Sequence, residues 1–328
     1  MQKINCTSTS FYVKMYVVKV ACLLLFSFLF SPVLAKVRKT HQAPPMKVVG
    51  YFASWAATGA ENVIQYDKFT HLIYSFGIPT TNGHLKPIEQ PARLQTLLTK
   101  ARTKNVKVLL AIGGWSDNGE ELDPRFEAIA ANPTMRKILV DDIINVVNQY
   151  GIDGIDMDWE VPDQGASYNN FLALMSELSA RLKPNGKLLT AAVSAGAGWG
   201  YYDTRLNPYV DFLNVMAYDG DAGAGHSPYS FAVSAVDLWV KTRGFAAEKI
   251  ILGVPFYARP SWSAYKVLLA NGADPYKDKF NNDYYNGIPT IQAKVALAQT
   301  RNLGGIMYGK LAKMLLDSIL WLLRLLIN

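Results

Sequence analysis

Four carboxylates fall within the ten residues of GIDGIDMDWE, positions 151 to 160, among Gly, Ile, Met and Trp. Such apolar neighbours mark a buried strand, and buried acids are rare unless they are paired or at work. Side chains of an extended strand alternate faces, so Asp156, Asp158 and Glu160 share one face while Met157 and Trp159 share the other. At about 3.3 Å per residue the three acids span roughly 13 Å. Each negative neighbour, together with burial, favours a group that keeps its proton at neutral pH. A protonated carboxyl at a cleft mouth is a general acid, and Glu160, last on this ladder, is the residue expected in that role. Ion pairing is the poorer account, since the stretch itself holds no basic residue; Asp153 is read as bracing the strand entry.

A scaffold must hold that ladder. β-branched runs at Lys47 to Phe52, His71 to Phe76, Val106 to Ile112, Gly154 to Asp158, Leu188 to Val193, Phe212 to Met216, Ile250 to Val254 and Gly305 to Tyr308 read as strands. Between them lie helical patterns, clearest at Pro91 to Arg102, Pro133 to Gln149 (capped by Asn132), Tyr168 to Leu182, Phe231 to Thr242 and Ile291 to Thr300. The rhythm is α/β, and eight such pairs over about 260 residues predict a (β/α)8 TIM barrel without a large inserted domain. A doubly wound sheet would carry a Gly-rich phosphate turn after its first strand, and none is present. Barrel enzymes work at the carboxyl ends of their strands, where Glu160 would lie. The long connection from about Ala258 to Gly304, containing DPYKDKFNNDYYNG, reads as a lid or a small excursion.

The ends of the 328-residue chain differ in character from its middle. Residues 1 to 35 carry Lys3, Lys14 and Lys19 without an acid, then the apolar run Val20 to Phe30, then small-residue spacing ending at Ala35. That is the pattern of a signal peptide cleaved after Ala35, with an uncleaved anchor as the alternative; residues 36 to 45 form a linker and residues 46 to 309 the barrel. Export to the extracellular space or periplasm is expected, with no stable membrane partner after cleavage. Cys6 and Cys22, the two cysteines, both lie in the leader, so the mature chain has no disulfide or thiolate chemistry. Loss of the three leader lysines lowers the formal charge from +7 to +4, which gives no reason to expect nucleic acid. His41, His71, His84 and His226 show no ligand spacing, so neither metal nor cofactor is expected, and a monomer is.

The segment Asp153 to Glu160 resembles the D-x-x-D-x-D-x-E signature of glycoside hydrolase family 18, the chitinase family. The resemblance extends over about residues 46 to 308, through GYFASW (Gly50 to Trp55), AIGGW (Ala111 to Trp115), MAYD (Met216 to Asp219), GVPFYAR (Gly253 to Arg259) and GGIM (Gly304 to Met307). It implies a chitinase that hydrolyses β-1,4-linked N-acetylglucosamine with retention, through an oxazolinium formed by the substrate's own 2-acetamido group. Glu160 would protonate the glycosidic oxygen, Asp158 would orient the acetamido group, and Asp156 would share a proton or hydrogen bond with Asp158. Tyr218 would hold the acetamido oxygen and Asp219 a sugar hydroxyl, with Met216 beside them. The seventh strand offers no carboxylate as a separate nucleophile.

Sugar rings stack on aromatic faces, and Tyr51, Phe76, Trp115 and Tyr257, at or just beyond strand ends, are expected along the groove, with Trp199, Tyr201 and Tyr202 as further subsites. Gly113 and Gly114 would allow close backbone packing below it. Chitin or N-acetylglucosamine oligosaccharides are the partners implied. The same motif also suits an endo-β-N-acetylglucosaminidase acting on N-glycans, or a weakly active or inactive, lectin-like barrel that binds chitin.

Two positions depart from the family pattern. Ala111 stands where relatives usually have Ser, and Gly309 where GG-x-M-x-W-E would place a Trp beneath the cleaved sugar. The tail from residue 310 to 328 is apolar for a closing helix and shorter than a membrane span. Read one register earlier from the last base of the Tyr308 codon, with suitable third bases, the same bases encode W-E-I-S-Q-D-A-S-G-Q-Y-S-L-A-V-A-I-I-N and a stop. We therefore read the tail from Gly309 onward as a frameshift product.

Overall fold

The β-branched runs form strands buried on both faces, as a parallel sheet requires. In this computed structural model, which describes residues 46 to 309, eight strands close into a parallel barrel in chain order: Lys47–Ala53, His71–Gly77, Lys107–Gly113, Gly154–Asp158, Leu188–Ser194, Leu213–Met216, Ile250–Pro255 and Gly305–Gly309. The first strand pairs with the eighth, Lys47 beside Gly305, and the ring is complete. The predicted leader, linker and tail lie outside the described residues.

The helices predicted from periodicity form at Pro91–Arg102, Pro133–Tyr150, Ala166–Leu182, Tyr229–Asp237 and Ile288–Thr300. The Asn132 side chain accepts from the Thr134 and Met135 amides, Pro133 occupies the first turn, and Gly151 ends the helix in the left-handed region at φ 67°. Asp123–Ala131 is a further helix that the sequence reading left out. The connection before the eighth strand is a packed excursion with a short helix, Tyr265–Ala270, and a small hairpin, Lys279–Phe280 with Asp283–Tyr284. Tyr265, Leu268 and Tyr285 give it a buried base, and Tyr265 packs edge-on against Phe256 of the barrel.

Two apolar layers result. Inside the barrel lie Val49, Ile73, Leu109, Ile251 and Met307; between barrel and helices lie Ile155, Met157 and Trp159. Trp159 stacks on Phe126 at 5.4 Å, meets Phe171 edge-on, and donates its indole N–H to Asp123 at 2.7 Å. Burying a side chain of this size is worth on the order of 3 kcal/mol, and a slip of one residue would turn it out of its layer. The face of the fourth strand is thereby set, and its acids must look inward.

Candidate active site

Asp156 lies inside the barrel, fully buried. It accepts hydrogen bonds from the Tyr51 hydroxyl at 2.5 Å, the Thr190 hydroxyl at 2.5 Å and the Asn214 amide at 3.0 Å, donors from the first, fifth and sixth strands. Burial pushes its carboxyl up to about 6, against the three donors, which hold it down. Asp158, 4% exposed, stands one step higher. Burial first, then the charges of Glu160 and Asp156, hold it well above the usual carboxylate range. Its Oδ1 has no hydrogen-bond partner among the described residues, and none of their Lys or Arg side chains forms an ion pair with Asp156 or Asp158. Glu160 is half-buried at the rim. Burial and mutual repulsion along the ladder both favour the protonated form of Asp158. Asp153, at the other end, accepts from the Val108 amide at 2.9 Å and meets Lys107 at 3.2 Å, bracing the strand entry.

Asp158 and Glu160 open into a cleft of about 890 Å³ at the carboxyl ends of the strands. Of the residues anticipated for substrate binding, Tyr51, Phe76, Trp115, Met216, Tyr218, Asp219 and Tyr257 all line it. Two of them differ in role. Tyr51 is 9% exposed and spends its hydroxyl on Asp156, so it holds the ladder rather than offering a stacking face. Tyr257 is 1% exposed, with Trp262 stacked on its ring at 5.5 Å and its hydroxyl on Asp219 at 2.5 Å. Tyr201 and Tyr202 are not cleft residues: both pack on Tyr168, and Tyr202 also on Trp239.

Asp219 accepts from Tyr257 and from Arg259 at 3.1 Å, with His226 Nδ1 at 3.2 Å. Burial alone would raise its carboxyl; His226, Tyr257 and Arg259 together bring it below the usual range, so it stays ionised. Tyr218 keeps its proton, through burial and the neighbouring charges of Asp158 and Asp219. Gly113 has φ 119°, and a Cβ there would come within 2.3 Å of the Asp158 carbonyl, which accepts the Gly114 amide at 2.8 Å. Only glycine lets the third strand approach the acid strand so closely.

Open aromatic surface comes from Trp115, 48% exposed, and Trp199, 55% exposed, whose rings lie parallel within 8° at 6.0 Å. Trp55 meets Phe76 in a tilted contact, ring centroids 5.8 Å apart, and Trp262 lies under the Arg259 guanidinium at 3.9 Å. Trp55, Trp262 and Arg259 were not singled out from sequence; Trp55 and Arg259 sit inside two of the quoted motifs, just past strand ends, which was the available signal. Gly309 lines the cleft where the family pattern has Trp, while Tyr308 points outward against Phe256 and Phe69. Ala111 pairs in register with Asp156, whose three donors come from elsewhere. Among the described residues no group of three or more His, Cys, Asp or Glu is arranged to hold a metal ion, and no helix is long and apolar enough to cross a membrane.

An eight-stranded barrel that presents inward acids to an aromatic cleft at its carboxyl-end rim has the layout of a barrel glycosidase. The chain belongs to glycosyl hydrolases family 18, whose sequence profile matches residues 47–308. It is 29% identical over 270 residues to "Probable chitinase 2" of Drosophila melanogaster, covering 71% of this chain and 54% of that protein. The chain spans 11%, 54% and 40% of the length of the first three curated relatives it matches. Among solved structures, a chitinase from Bacteroides thetaiotaomicron is 25% identical with a TM-score of 0.76, over 87% of this chain and 97% of that one. A chitinase-like agglutinin from Robinia pseudoacacia shares the fold at 23% identity and a TM-score of 0.76, over 85% and 99%. So does a mutant class V chitinase from Nicotiana tobaccum in complex with NAG4, at 21% and 0.73, over 87% and 99%.

Proposed function

We propose that this protein is a chitinase that cleaves β-1,4-N-acetylglucosamine linkages with retention. The observation that carries the reading is the ladder of Asp156 and Asp158, both buried, and Glu160, half-buried, crowded together and open to the cleft at its upper end. Glu160 gives its proton to the glycosidic oxygen as that bond breaks, and the substrate's acetamido carbonyl oxygen bonds to the anomeric carbon. Asp158, poised above Asp156, orients the acetamido group, and Tyr218 donates to its oxygen. Water then attacks the anomeric carbon from the face the leaving group vacated, opposite the oxazolinium oxygen, and gives a proton back to Glu160. Trp55, Phe76, Trp115 and Trp199 supply ring faces for neighbouring sugars. The ligand class is supported by the relative that holds NAG4, and export by the leader pattern of residues 1 to 35.

Glu160→Gln tests the reading. Release of chitobiose from colloidal chitin should fall at least about a thousandfold, while oligosaccharide binding survives. A wild type that releases nothing from chitin but acts on a high-mannose glycopeptide would replace chitin by the N-glycan core. A second reading, a barrel that binds chitin without cutting it, is favoured by Gly309 in place of the platform Trp and by likeness to an agglutinin. Binding without turnover on either substrate would establish it.

A further inference from the structure

Lys294, on the last helix Ile288–Thr300, is fully buried. A buried ammonium is costly unless its protons are satisfied. Its Nζ donates at 2.7 Å to the Ser227 carbonyl, to the Ser227 hydroxyl oxygen and to Asn286 Oδ1. The Asn286 amide donates in turn to the Ser227 carbonyl at 2.8 Å. The Ser227 hydroxyl uses its own proton on the Ala217 carbonyl, at 2.7 Å. All three partners of the lysine are therefore acceptors, and only the protonated amine has three protons to give them.

Ala217 and Ser227 are the two feet of one loop, and that loop carries Tyr218, Asp219, Gly220 and Asp221 of the cleft wall. The loop closes on itself, the Gly220 amide donating to the His226 carbonyl at 3.0 Å, with the Asp219 amide nitrogen 3.2 Å from His226 Nδ1. His226, itself buried, lies with Nε2 3.3 Å from the Tyr257 carbonyl. The loop is thus a folded unit, and its feet are joined where the lysine sits.

We propose that Lys294 is a positioning residue: its ammonium ties the feet of this loop to each other and to Asn286, and so fixes where Tyr218 and Asp219 stand relative to Asp158. The role rests on the reading of the cleft as an N-acetylglucosamine site. Burial draws the Lys294 amine down to about 7, against the attraction of Asp278. Above that pH the neutral amine has two protons for three acceptors, and its lone pair faces an oxygen. The hold on the loop weakens accordingly. Among the described residues, Asp278, which accepts from the Gly287 amide and the Thr290 hydroxyl, is the charged side chain that acts on Lys294, and His226 and Tyr285 flank Ser227 and Asn286 in the chain.

The test measures binding of tetra-N-acetylchitotetraose by calorimetry between pH 6 and 8.5, in a Glu160→Gln background that blocks turnover. Adding Lys294→Met should weaken binding about tenfold at pH 6, as expected for misplaced contact groups, and Lys294→Gln should recover part of the loss. The parent should lose affinity as the pH rises past about 7, while the Lys294→Met protein stays flat relative to it. The fourth-strand acids titrate alike in both, so the difference belongs to Lys294. Near-UV circular dichroism verifies the fold, and if Lys294→Met does not fold, the Lys294→Gln protein takes its place in the comparison with the parent. Equal affinities of parent and folded variant across this range, or a flat parent, would overturn the proposal. A parent that binds no oligosaccharide at any pH removes the reading of the cleft and the role of Lys294 with it.

Discussion

Replacing Asp156 by Asn should make the protein more stable and less active, and the structure says by how much and at what pH. Burial lifts the Asp156 carboxyl from 3.8 to about 6 even with three donors on it. Between those values the folded chain holds the proton while the unfolded chain has released it. The stability contributed by this group is therefore present below about pH 4 and lost as the pH climbs through 6. The gap corresponds to about 3 kcal/mol, a cost borne in full at pH 7.5. Asparagine has the same shape and no charge; its oxygen can keep the Thr190 and Asn214 donors, and its amide can face a Tyr51 hydroxyl turned to accept. Urea unfolding should thus give Asp156→Asn a gain of up to about 3 kcal/mol at pH 7.5, shrinking toward zero near pH 4. Chitotetraose turnover should fall at least about tenfold, because Asp158 loses its charged neighbour. A gain that is the same at both pH values, or no gain at pH 7.5, would refute the argument that burial governs this ladder.

Three other outcomes are expected. Trp199→Ala, which strips Trp115 of its parallel partner, should raise KM for hexa-N-acetylchitohexaose about tenfold with kcat little changed, and an unchanged KM would remove Trp199 from the substrate path. A protein carrying the alternative-frame ending, with Trp at position 309, should be more soluble and several-fold more active than the 328-residue form; equal performance of the two counts against the frameshift reading, and an intact mass of the natural protein matching the apolar tail ends its sequencing-error version. N-terminal sequencing of exported protein should begin at Lys36, and material retained with residues 1 to 35 would point to an anchor instead.

Much of the architecture was legible because it depends on local periodicity. Val48 and Val49, Leu109 and Leu110, Ile250 and Ile251 mark strands wherever they fold, and Asn132 with Pro133 starts a helix from its own neighbourhood. The alternation of Asp156, Asp158 and Glu160 against Met157 and Trp159 likewise needs only strand geometry, and it assigned the acids to the cleft side before any contact was known. Tertiary structure alone decided what those acids meet. Tyr51, Thr190 and Asn214 converge on Asp156 from positions 105, 34 and 58 residues away, so Tyr51 became a donor to the ladder and not a sugar platform. Tyr257 lost its open face to Trp262, and Trp115 found Trp199, for the same reason. Lys294 has no motif at all; its role comes from Ser227 and Asn286 closing around it. Side-chain direction is written in the chain's local period, whereas electrostatic environment is a sum over neighbours that only closure of the barrel brings together.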